Sequence, residues 1–168
     1  ASPIPVTVKI RKGFAEGGEE GMEIAKIAEA AGASEITVHG RTREAYYSGK
    51  ADWDFILRVT DAVSVPVMGN GDILQAEDVL KHRADTLAGV ALGRGAVGHP
   101  FIFREIQQVL RGEEVQLPSK DEIIATAKKH LALSVAEKGE HLGVIEMRKH
   151  FIGYLKGFEQ AKKHRNEI

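Results

Sequence analysis

The sequence predicts a parallel α/β fold followed by an all-helical segment, and three observations carry that prediction. Short apolar runs rich in valine and isoleucine recur along the first part of the chain. Amphipathic stretches at helical spacing lie between them. After Arg104 the glycines thin out, the strand signal stops, and only helical periodicity remains.

The strand-like runs are residues 6–10 (VTVKI), 35–39 (EITVH), 65–69 (VPVMG) and 89–93 (GVALG). Their composition predicts strands buried on both faces. The first three begin about thirty residues apart, the size of a strand–helix–strand unit. In 21–31 the residues Met22, Ile24, Ala25, Ile27 and Ala28 share a helical face, and Gly32 is a suitable stop. Residues 53–62 repeat the pattern with Phe55, Ile56 and Val59. Residues 75–82 do so with Val79 and Leu80, and the acidic pair Glu77 and Asp78 suits a first turn. A short helix is expected over 101–110. Pro118-Ser119 reads as a hinge and N-cap. Residues 121–138 (Ile124, Ala127, Leu131, Val135) and 144–158 (Val144, Met147, Phe151, Leu155, Phe158) then predict a helical hairpin, with Gly139 and Gly143 in its turn.

Strand–helix alternation leaves two architectures, a doubly wound open sheet and a (β/α)8 barrel. The strand ends favour the barrel. Each run closes on a polar or glycine cluster: Lys9-Ile10-Arg11, His39-Gly40-Arg41, Gly69-Asn70-Gly71-Asp72 and Gly93-Arg94-Gly95. Barrels gather their chemistry from the C-terminal ends of several strands, whereas doubly wound sheets concentrate it at one switch point. Four units fall short of the ~250 residues of a whole barrel.

Composition excludes several classes. The 168 residues carry 23 Lys and Arg against 24 Asp and Glu, a net charge of −1, which argues against a uniformly basic nucleic-acid binder but allows a local basic patch. No apolar run reaches the ~18 residues of a membrane span, and the start carries no signal-peptide pattern. There is no cysteine, hence no disulfide, no thiolate metal site and no cysteine acid from this chain. A cytoplasmic setting is expected.

Several strand-end residues carry candidate chemistry. Gly93-Arg94 forms a glycine turn whose amides and guanidinium suit a phosphate, or it is a plain tight turn. Gly69-Asn70-Gly71 allows close approach to a planar ligand, and Asn70 both donates and accepts. Asp72 suits an N-cap. Lys9, in so apolar a run, reaches a cavity, a counter-ion or water. His39 has no partner at ligand spacing, so no metal site is expected. Arg41 and Arg43, followed by Tyr46-Tyr47, suit phosphates and bases or form a solvated loop. From Arg148 and Lys149 to Arg165 basic residues alternate with Phe151, Tyr154 and Phe158, which fits an RNA-facing helix or an ordinary amphipathic one.

The runs PVTVKIRKGF, ITVHGRTREAYYSGKADWD, VPVMGNGDI and GVALGRGAVGHPFIFREI, in this order, resemble the C-terminal half of the tRNA-dihydrouridine synthase family. RKHFIGYLKGF and AKKHRNEI resemble its helical domain. The resemblance implies the C-terminal half of an FMN-binding TIM barrel over 1–112 and part of a helical tRNA-binding domain over 118–168. It implies reduction of uridine to dihydrouridine in tRNA, with NADPH as reductant and FMN as carrier. Lys9 and His39 then correspond to flavin contacts. Asn70, Gly71 and Asp72 line the ribityl and phosphate region, and Gly93 and Arg94 form the phosphate turn. Arg41, Arg43, Arg148 and Lys149 face tRNA. The family's general acid is a cysteine from its other half. This chain therefore supplies no catalytic residue and is expected to be inactive alone, with half-barrel edges that favour self-association. The rival readings are another FMN- or phosphate-binding barrel oxidoreductase and a non-catalytic RNA-binding fragment.

Overall fold

The computed structural model describes residues 2–82, 84–156 and 158. The basic residues Lys162, Lys163 and Arg165, and Arg83 in the link before the last strand, lie outside them. The chain divides into two compact units, Ala1–Gly95 and Ala96–Ile168.

The first unit alternates β1 (Thr7–Arg11), α1 (Gly21–Ala30), β2 (Glu35–His39), α2 (Trp53–Ala62), β3 (Val67–Asn70), α3 (Asp78–Lys81) and β4 (Gly89–Ala91). The strands form one parallel sheet in the order β1-β2-β3-β4. A partial (β/α) barrel is laid down in this sequential way. β2 and α2 occupy the expected residues. α3 is shorter than expected because the Asp78 carboxylate accepts from the Leu74 and Gln75 amides and folds 75–77 into a turn.

Alternation along the strands separates two faces. Ile10, Ile36, Val38 and Val67 point to one of them and are buried, with Phe55, Ile56 and Val59 of α2 and Ala25 of α1 completing the core. Gly69 lies on this face because a Cβ there would meet the Trp53 ring at 2.5 Å. The other face carries Thr7 and Lys9, which are exposed, and Thr37, Met68 and Gly89, which are partly exposed. Burial on both faces, expected from composition, is therefore corrected: apart from His39 the second face is open or only partly covered, since the helices pack on the first. α1 differs in the same sense: Ala25 is buried, but Ile24 and Ile27 are 46% and 59% exposed.

The second unit contains α4 (Ile102–Leu110), α5 (Lys120–Lys138) and α6 (Glu140–Tyr154). α5 starts at a capping box in which Ser119 and Glu122 satisfy each other's backbone amides. Gly139 ends it at φ +78. Ala127, Met147 and Tyr154 form the hairpin core, with Ile123, Leu131 and Phe151 against it. The buried face is rotated from the expected one: Ile123 packs inward, while Ile124 and Val144 are 42% and 39% exposed. Gly143 is not in the turn but inside α6. A Cβ there would stand 2.8 Å from Ser134 O and from the Val135 backbone, so its absence lets the helices approach. Gly98 likewise lies against Gly153 of α6, which ties the segment before α4 to the hairpin.

Gly143→Ala tests this contact. Alanine is the better helix former by ~1 kcal/mol, yet the clash is with backbone that cannot rotate away. The substitution is expected to lower stability by about 1–3 kcal/mol, read from urea unfolding followed by circular dichroism. An unchanged or higher midpoint would count against a close-packed seam.

Candidate functional site

The register gathers polar residues at one end of the sheet. Arg11 stands opposite His39 and His39 opposite Asn70, while Lys9 lies one alternation back on the same face. The loops after β3 and β4 add Gly71, Asp72, Gly93 and Arg94. All seven residues expected to contact a cofactor (Lys9, His39, Asn70, Gly71, Asp72, Gly93 and Arg94) line one recess of about 180 Å3. That is less than the ~300–1,000 Å3 of typical small-molecule sites, so the recess surrounds one part of a ligand. A larger groove of about 600 Å3 between the start of the chain and α1 is lined by Ile4, Val6, Val8 and small residues, without an ionisable side chain. It offers apolar surface and no chemistry.

The recess is electropositive. Burial, and then Arg11, lowers the Lys9 ammonium pKa. His39 is 7% exposed. Burial above all, followed by Arg11, Lys9 and Arg41, pushes its imidazole down to about 4. It is therefore a neutral donor–acceptor near pH 7. Asn70 donates from Nδ2 to Ala91 O at 2.7 Å, which fixes the amide and joins β3 to β4. Gly71 adopts φ +128 with the His39 ring and Ala51 against it; a Cβ would meet the Ala51 Cβ at 2.5 Å. The glycines around Asn70 thus serve close approach within the protein, Gly69 to Trp53 and Gly71 to His39. Gly93, by contrast, has open space where a side chain would be.

Asp72 is the hub of the site and does not cap a helix. At φ +55 its carboxylate accepts from the Ala51 amide at 2.7 Å, from Arg41 Nη2 at 2.8 Å and from Arg94 Nη2 at 3.3 Å. Burial opposes its ionisation, but the Ala51 amide and the two guanidiniums outweigh that and hold the carboxyl below the usual range. Arg41, expected at an RNA-facing surface, is buried in the structure. It is 4% exposed, and besides Asp72 it donates to Ser48 O and Gly49 O, so it holds the 41–52 loop from inside. Its Nη1 has no partner among the described residues. Arg43 is exposed, and so are Arg148 and Lys149 on α6.

Two further residues of the recess appear in the sequence only within their motifs and not as expected cofactor contacts. Arg11 lines the recess and donates to Thr42 O. Its signal was present: two residues after Lys9, it shares that face of a strand. Tyr47 also lines the recess, with Arg94 stacked 4.5 Å over its ring. No periodicity marks a loop residue, so nothing in the sequence separates it from its neighbour Tyr46.

A sequential parallel sheet with polar groups from every strand end around one recess defines a partial (β/α) barrel of the ligand-binding kind. Comparison narrows the class: residues 1–168 match the family described as Dihydrouridine synthase (Dus). The chain belongs to that family. It is 43% identical over 157 residues to tRNA-dihydrouridine synthase B of Pseudomonas putida, covering 92% of this chain and 47% of the relative. It is 40% identical to a probable tRNA-dihydrouridine synthase of Rickettsia conorii, covering 100% of this chain and 51% of the relative. A probable tRNA-dihydrouridine synthase of Mycobacterium leprae is 39% identical, over 98% of this chain and 44% of its own length. The chain thus spans about half the length of the curated relatives it matches.

The depressed His39 pKa has a defined consequence. With a folded value of about 4 below an unfolded ~6.5, its contribution to stability is complete above that unfolded value. It is lost as pH falls from there towards 4. An NMR titration of the ring is expected to show a neutral imidazole throughout the mildly acidic range. A midpoint at or above the ordinary histidine value would contradict the buried, cation-flanked placement.

Proposed function

We propose that this chain supplies part of the flavin site and part of the tRNA-binding surface of an enzyme that reduces uridine to dihydrouridine in tRNA, in the cytoplasm. The observation that carries the reading is the convergence of Lys9, His39, Asn70 and Arg94, one from each strand unit, on a single electropositive recess. The residues present suit FMN. The cations outnumber the one carboxylate, Asp72, which is already engaged by Arg41 and Arg94. The open position at Gly93 lets an anionic group approach the backbone beside Arg94. When bound, FMN carries hydride from NADPH to the uracil ring.

The chain's own residues then hold and polarise. Lys9 stabilises negative charge on an electron-rich ring edge. His39, neutral and orientated by its burial, donates or accepts one hydrogen bond. Asn70 offers its remaining amide capacity, and Gly93 with Arg94 takes the phosphate. Asp72 acts through Arg94, because a carboxylate facing a phosphate would repel it. Arg43, Arg148 and Lys149 are exposed cations for the tRNA backbone. The proposed barrel part, residues 1–112, takes in α4, and the described helices α5 and α6 are the proposed tRNA-binding part. A uracil reduced by hydride at one carbon needs a proton at the other. The chain contains no cysteine for that step.

The test is a chimera in which residues 1–168 replace the matching segment of the 43% identical Pseudomonas putida relative. NADPH oxidation that depends on unmodified tRNA, with dihydrouridine formed, is expected. The isolated chain should form none. Lys9→Met in the chimera should lower turnover by ~10²-fold, the scale of losing one preorganised charge-stabilising group. Turnover without tRNA would favour a different flavin oxidoreductase, and RNA binding without turnover a non-catalytic role.

Self-association belongs to the same proposal. β1 and β4 each have one strand neighbour, and Ile4, Val6, Ile24 and Ile27 are exposed beside β1. Sedimentation of the isolated chain should show a species heavier than the monomer. A monodisperse monomer at high concentration would remove this part.

A further inference from the structure

Beside the recess lies a cluster of exposed aromatic rings that the proposed cofactor contacts do not use. Phe14, in the loop after β1, is 60% exposed. Tyr46 and Tyr47, in the loop after β2, are 59% and 61% exposed. Arg43 lies between two of these rings, 5.6 Å from the Phe14 centroid and 5.8 Å from that of Tyr46. It makes no ion pair among the described residues. Its charge is therefore positioned but not neutralised.

The cluster is built rather than incidental. Arg43 N donates to Gly13 O at 2.9 Å and Glu44 N to Phe14 O at 3.0 Å, so the two loops are zipped together. The 41–52 loop is held from below by buried Arg41 and by Asp72. Tyr46 stands at φ +48, a left-handed conformation that a bulky side chain adopts at a cost. Glycine would occupy the position without that cost. An exposed ring kept at a strained position buries nothing in return. Its neighbour in sequence, Tyr47, lines the recess under Arg94.

We infer that Phe14, Arg43 and Tyr46 form a stacking platform for an unpaired RNA base next to the target nucleotide. The inference rests on the tRNA reading above and deepens it. Rings with unpaired guanidinium charge suit a base face beside a phosphate, and such stacking tolerates any base. The platform would hold a flanking nucleotide while the target base is out of its stack, so it is a positioning device.

The probe is a short single-stranded RNA carrying 2-aminopurine, whose fluorescence is quenched on stacking. Binding to the chain should quench it. Phe14→Ala and Tyr46→Gly should each weaken binding by about 5- to 100-fold and relieve the quenching, while Tyr46→Phe should keep both. Tyr46→Gly should leave the thermal midpoint unchanged or raise it, which separates lost stacking from lost folding. If the ring variants bind and quench like the natural chain, the platform is wrong and the tRNA reading stands. If the natural chain binds neither this probe nor unmodified tRNA, both fail.

Discussion

The arrangement depends on one buried ion pair, Arg41 with Asp72. Arg41 leaves the end of β2 and Asp72 the end of β3, so their contact fixes two strand ends and the loop between them. Everything functional here is referred to that contact. The Ala51 amide and Arg94 share the carboxylate, and Ser48 and Gly49 share the guanidinium. Losing one partner of a buried pair typically costs ~3–5 kcal/mol, because the other charge is left unpaired in a poor solvent. The 21% exposure of the Asp72 side chain puts this pair towards the lower end. Its more specific effect is directional: without Asp72, Arg94 would have no anchor among the described residues except the Tyr47 ring.

The parallel register is the second constraint, and it explains why electrostatics differ so sharply across one chain. Lys9 and Arg11 share a face and an end with His39, so positive charge accumulates around the ring although the whole chain is nearly neutral. Burial and those cations keep His39 uncharged, which limits the repulsion that closing such a site would otherwise meet. Local charge, rather than net charge, is the relevant quantity for an anionic ligand.

Much of this was legible in the sequence. β2 and α2 are readable to the residue, because a Val- and Ile-rich run ends in a polar cluster and Phe55, Ile56 and Val59 fall at helical spacing; the Asp52 cap that starts α2 is seen only in the structure. The site was readable for a topological reason: in a sequential parallel sheet the ends of successive strands must lie side by side, so four separate motifs imply one place. What escaped the sequence depends on direction. Arg41 and Arg43 are two residues apart in one motif, yet one is buried as a brace and the other exposed, a choice made by Asp72 from 31 positions away. On α5 the expected Ala127 and Leu131 pack inward, but Ile123 takes the place expected for Ile124, since the two are equally apolar and only the packed partner selects between them. Gly143 looked like a turn residue because a close helix contact and a turn both call for glycine.

The seam of α5 and α6 around Gly143 has a bearing on how such a protein diversifies. The contacts that set the hairpin involve backbone and a few inward residues, while Arg148 and Lys149 stand on its outside with no packing to maintain. Surface charge on this unit is thereby decoupled from its architecture. Substitutions on the exterior can redistribute its charge without disturbing the geometry that keeps the helices together. The close approach at Gly143 constrains one inward position, while the outward ones carry no such demand.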